Sequence, residues 1–159
     1  TMSHSVTIRT QTVTNNSTAV IINTGYLKTW TGLIKLLQVA LGIVCVTIIG
    51  QRFTATQYHV AAELFFALIT TTFLIGTCIL ILSCLASHSA PTIIGKTIYD
   101  LMYHSIAFGL YLAASLTFLV HVSNNRGSDI LLAGAICGLV NAALYLLNTI
   151  IAVRNYRGI

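Results

Sequence analysis

The sequence predicts an all-α membrane protein, an antiparallel four-helix transmembrane bundle with short loops. Three observations carry that expectation. Four apolar runs, 31–50, 63–85, 98–122 and 130–153, each reach the about 20 residues that a helix needs to cross the bilayer core. Only 7% of the 159 residues are charged and 56% are hydrophobic, whereas a soluble domain carries roughly 25% charged residues; the mean hydropathy is +0.87. Almost all of the charges fall between the runs or at their margins. A polar, Thr-rich segment at 1–24, a membrane domain at 25–156 and a tail at 157–159 account for the whole chain, so no second folded domain is expected.

Along the chain, residues 1–20 lack the apolar core of a secretory signal, and no cleavable signal is expected. Within them, 6–13 is β-branched and polar, with strand propensity but no apolar face. Such a ribbon is expected to order only by main-chain pairing with another chain. The first span is entered through Tyr26, Lys28 and Trp30. The aromatics suit the headgroup layer, with Lys28 reaching up to phosphate. The second span starts at Glu63 and ends near Cys84, the third starts near Asp100, and the fourth is flanked by Arg126 and Arg154. With four spans, both termini share a side. That side carries Arg9, Lys28, Lys35, Lys96, Arg154 and Arg157, against Arg52 and Arg126 opposite, which predicts cytoplasmic termini. The sequons at Asn15 and Asn16 would then escape glycosylation.

The formal charge of +5 is spread over both ends and the loops. It forms no basic stripe, so nucleic acid is not an expected partner and anionic lipid is. Cys45, Cys78, Cys84 and Cys137 all lie within spans, leaving none in the outer loops. That excludes claudin-, tetraspanin- and connexin-like chains, which need loop disulfides, and no cysteine pair has metal-ligand spacing. Cys84, at the inner end of its span, is a candidate for S-palmitoylation, the alternative being a buried small hydrophobe. His104 and His121 lie 17 residues apart on one helix with no facing histidine in another span, so a bis-histidine haem site is not expected.

Within this frame the segments Gly32-Leu33-Ile34-Lys35-Leu36-Leu37-Gln38, Ala62-Glu63-Leu64-Phe65-Phe66, Tyr99-Asp100-Leu101-Met102-Tyr103-His104 and Gly138-Leu139-Val140-Asn141-Ala142-Ala143-Leu144-Tyr145 stand out. Together they resemble the four spans of the MARVEL-domain family, over about residues 25–156. Within that family the chain looks most like the short chemokine-like-factor type and insect singles-bar-like proteins. The resemblance implies a non-enzymatic role in organising membrane: vesicle trafficking, membrane apposition or junctions, with no catalytic residues and no cofactor beyond lipid. It also implies the chaperoning of partner membrane proteins, and a homo-oligomer or a larger membrane-protein partner is expected.

Three groups of residues are candidates for that work. Small residues recur every fourth position at Ser105, Gly109, Ala113 and Thr117 in the third span and at Gly134, Gly138 and Ala142 in the fourth. Such stripes allow close helix approach in lipid. Either the two stripes face each other within one chain or at least one meets another chain. Intramembrane polar residues follow: Lys35, Gln38, Asp100, His104 and Asn148 toward the cytoplasmic side, with Asn141 and Tyr145 deeper. Lys35 and Asp100 fall at matching depth and can pair; Asn141 and Tyr145, four apart, are expected to bond between helices. At the outer end, Arg52, Glu63, His121 and Arg126 can clasp the loops. A pore lined by Lys35, Asp100, His104 and Asn141, or an accessory subunit of a larger channel, receptor or transporter, are the other functions this pattern admits.

Overall fold

The computed structural model describes residues 23–58 and 60–158. The ribbon expected at 6–13 and both sequons lie outside the described residues. A 3-10 turn at Thr24–Lys28 leads into α1, Trp30–Ala55; α2 follows at Ala61–Ala86, the short α3 at Ala90–Gly95, α4 at Ile98–Asn124 and α5 at Asp129–Arg157. The four long helices are long and apolar enough to cross a membrane. At 26 to 29 residues they run about 40 Å, well past the roughly 30 Å hydrocarbon core. The first span therefore continues through Gln51–Ala55, where the sequence pattern had placed a loop: a helix satisfies its own backbone hydrogen bonds, so nothing stops it at the hydrocarbon boundary. The middle loop contains α3, unforeseen from sequence, with Pro91 in its first turn, where a missing N–H costs least.

Local chemistry sets the ends. Thr29 caps α1, its hydroxyl accepting from the Gly32 amide at 3.2 Å and donating to the Tyr26 carbonyl at 2.6 Å. Gly32 is required there, because a Cβ would collide with the Tyr26 carbonyl oxygen. α5 stops at Gly158, whose φ of 71° is the left-handed cap that glycine adopts without strain.

The helices form a ring in which α1 packs on α2 and α5, and α4 packs on α2 and, most extensively, on α5. Each helix turns its least apolar face inward. Buried positions step alternately by three and four: Lys35, Gln38, Gly42, Cys45 and Ile49 in α1; Glu63, Phe66, Thr70, Phe73, Thr77, Leu80 and Cys84 in α2. α4 continues the pattern through Asp100, His104, Ala107, Tyr111, Ala114 and Phe118; α5 carries Leu131, Gly134, Gly138, Asn141, Tyr145, Asn148 and Ala152. This is a heptad seam of left-handed packing, with polar groups where a soluble coil carries leucine. Outside, Leu37, Leu68, Leu82, Ile106, Val120 and Ile150 are exposed, as a lipid-facing surface requires. Exposed aromatics mark the two ends, Trp30, Tyr99 and Tyr156 at one and Tyr58 at the other.

Candidate functional site between the helices

The seam carries three polar groups: one at the end of the bundle formed by Trp30, α3 and the end of α5, termed the inner end for its place in the bundle alone, one in the middle and one at the opposite, outer end. At the inner end α1 and α4 bring Lys35 Nζ within 3.9 Å of Asp100 Oδ1, both residues only 6% exposed. His104, one turn along α4, places Nδ1 3.3 Å from the same carboxylate oxygen and 2.8 Å from the Asp100 carbonyl oxygen. Both neighbours are acceptors, so Nδ1 is the ring nitrogen that donates here. The pair neutralises two charges that would each be costly in hydrocarbon.

In the middle, Asn141 Nδ2 on α5 donates to the Gln38 carbonyl on α1 at 3.2 Å. The Thr77 hydroxyl on α2 bonds Tyr145 at 2.7 Å and Tyr103 at 3.1 Å, and Tyr145 also reaches the Phe73 carbonyl at 3.4 Å. Tyr111 stacks on Tyr145 with centroids 5.3 Å apart, and Phe73 meets Tyr145 edge-on at 5.9 Å. Asn141 and Tyr145 thus bond to different helices, α1 and α2. Asn148 is buried with Nδ2 unpartnered among the described residues, as are both polar atoms of Gln38 and the hydroxyls of Tyr111 and Ser115.

At the outer end Glu63 is 1% exposed. Its Oε1 lies 3.3 Å from Arg52 Nε and 3.7 Å from His121 Nε2. Asn125 Nδ2 lies 3.1 Å from His121 Nδ1, which as acceptor leaves the ring proton on Nε2, facing Glu63. Arg126 does not join this clasp by an ion pair among the described residues. It lies on the rim of the same depression, in a left-handed turn with φ 47°.

The two small-residue stripes do not face each other. Gly134, Gly138 and Ala142 are buried, and a Cβ on Gly138 would strike the Ser115 hydroxyl and stand 2.8 Å from the Phe66 ring. Ser105, Gly109, Ala113 and Thr117 lie on the outer surface of α4, with nothing within 4 Å of a Cβ on Gly109. The inward face of α4 instead carries residues of the heptad seam. Cys84, the acylation candidate, is 1% exposed and lines a recess beside Tyr26, the environment of a buried small hydrophobe.

Thr77, Tyr111, Phe73 and Ser115 were not foreseen. A signal existed in α2, where Glu63, Thr70, Thr77 and Cys84 recur at seven-residue intervals and are all buried. Among the described residues no group of three or more His, Cys, Asp or Glu is placed to hold a metal ion.

A ring of four apolar helices closed on a polar seam, with exposed aromatics at its ends, defines a multi-pass membrane bundle. The family model of the MARVEL membrane-associating domain matches residues 26–151, and the chain belongs to that family. No curated protein and no solved structure matches it.

Proposed function

We propose that this protein is a non-enzymatic membrane scaffold that self-associates through the outer face of α4 and so organises vesicle, apposed or junctional membrane, with both termini in the cytoplasm. The observation that carries the reading is the stripe Ser105, Gly109, Ala113 and Thr117. It is free of contacts with the rest of the bundle at Gly109, and small residues let backbones approach where lipid removes the hydrophobic drive for association. The polar side chains of the seam engage one another, Lys35 with Asp100 and Thr77 with Tyr145, which favours a structural role for them over a transport path.

Cysteine crosslinking in native membrane tests this. In a background with Cys78 and Cys137 replaced by alanine, Gly109→Cys should give a disulfide dimer, while Ile79→Cys on the outer face of α2 should not. Capture of an unrelated chain at position 109 in place of a second copy would turn the reading to an accessory subunit. No crosslink at 109 or 113 would overturn both.

A further inference from the structure

At the inner end of the bundle, a cavity of about 330 Å³ opens between α3 and the end of α5, lined by Thr92, Lys96, Arg154 and Asn155. It shares Pro91, Gly95 and Asn155 with a deeper recess of about 50 Å³, which reaches Tyr26, Lys35 and Asp100. We propose that the two chambers form one binding site for a phosphate monoester, the dianionic head of a membrane lipid or of a soluble metabolite.

Charge argues for the class. Lys96 and Arg154 stand at the mouth and Lys35 in the recess, against the single carboxylate of Asp100. A dianion would balance what remains. The two helix ends beside the cavity would repel an anion if their last carbonyls were bare. They are partly covered: the Lys96 amide donates to the Ile93 and Ile94 carbonyls, and the Gly158 amide to those of Arg154 and Asn155. Arg154 supplies a planar fork suited to phosphate oxygens, and Lys96 a mobile point charge.

The recess argues for a built site. Tyr26 is 5% exposed and lines the recess beside Cys84 and Thr31, its nearest polar neighbours, with neither of which its hydroxyl makes a well-formed hydrogen bond. Burial, with Cys84 next to it, pushes its phenol above the ordinary value, so it stays a neutral donor at physiological pH. A buried donor without an acceptor is costly, and a phosphate oxygen entering from the mouth supplies one.

Depth argues for access to lipid. Trp30, Tyr99 and Tyr156 are exposed at this end, the residue types that spans place where they meet headgroups. α3 carries Ile93, 61% exposed, giving the cavity roof a lipid-facing anchor.

The test uses the full chain as a single copy per phosphatidylcholine nanodisc, so that self-association plays no part. Phosphatidylinositol 4-phosphate is the lipid probe and glycerol 3-phosphate the soluble one, with phosphatidylserine as the monoanionic control and Trp30 fluorescence or native mass spectrometry as readout. The double variant Lys96→Met/Arg154→Met changes only exposed side chains and should keep its thermal stability while losing at least tenfold in affinity. Tyr26→Phe should lose threefold or more. Saturable binding of the lipid alone assigns a headgroup site; equal binding of glycerol 3-phosphate assigns a soluble ester; either supports the proposal. Binding of neither probe overturns it, as do equal affinity for phosphatidylserine and unchanged affinity in both variants.

Discussion

Replacing Gly138 by alanine puts one methyl group where α5 crosses α2 and α4. That methyl would stand 2.8 Å from Phe66 Cε2 and closer still to the Ser115 hydroxyl, against an ordinary carbon contact of about 3.5–4.0 Å. Phe66 cannot swing aside, because it is fully buried and stacked on Phe118 with centroids 4.5 Å apart. The helices must separate locally, at a cost of about 1–3 kcal/mol for an overpacked site. Alanine's better helix propensity returns up to about 1 kcal/mol, a gain that any helical glycine shares, so Gly138→Ala should fall about 1–3 kcal/mol below Gly109→Ala. Gly109→Ala is the matched control. It makes the same propensity gain with no neighbour within 4 Å, so it should leave stability unchanged or slightly raised. Thermal unfolding of the two variants in mild detergent, followed by circular dichroism, measures the difference. Equal stability of Gly138→Ala and Gly109→Ala, with neither below wild type, would refute the packing argument. A loss in Gly109→Ala as large as in Gly138→Ala would refute the assignment of faces.

Removing one partner of the inner ion pair, by Lys35→Met or Asp100→Leu, should cost about 2–4 kcal/mol, since a buried charge loses its counterion. The double variant should cost less than the sum, and additive losses in a double-mutant cycle would show that the two never interact. Tyr145→Phe removes the 2.7 Å bond to Thr77 and should cost about 0.6–1.7 kcal/mol; combined with Thr77→Val, which also gives up the Tyr103 bond, the loss should be smaller than the sum of the two singles, and strictly additive losses would place the bond elsewhere. A glycosylation acceptor placed at 123–129 should be modified in microsomes and native Asn15 should not; the reverse pattern would invert the proposed orientation.

The four spans were legible because membrane thickness and the peptide backbone leave a chain this apolar few alternatives. The Lys35–Asp100 pairing was legible for a related reason: two opposite charges at one depth in hydrocarbon have strong cause to meet. The face of each helix was harder to read. Small-residue periodicity marked Gly109 and Gly138 alike, yet one lies outside and the other at a crossing. The better guide is the three-four recurrence of the least apolar residues, such as Glu63, Thr70, Thr77 and Cys84, because polar groups in lipid turn inward. Arg126 shows what spacing cannot supply. It sits near Glu63 in sequence logic, but a left-handed turn before Gly127 leaves it on the rim with no ion pair among the described residues. α3 was hidden because six residues are too few to show a period.

Self-association through the outer face of α4 is the central claim, and energy transfer between donor- and acceptor-labelled copies in lipid vesicles tests it most directly. As protein is diluted with lipid, wild type should hold a transfer signal above the level of random proximity. Gly109→Leu, which blocks close approach without touching the bundle interior, should fall to that level while keeping wild-type stability. Wild-type transfer at the random level, or an undiminished signal in Gly109→Leu, would contradict the account.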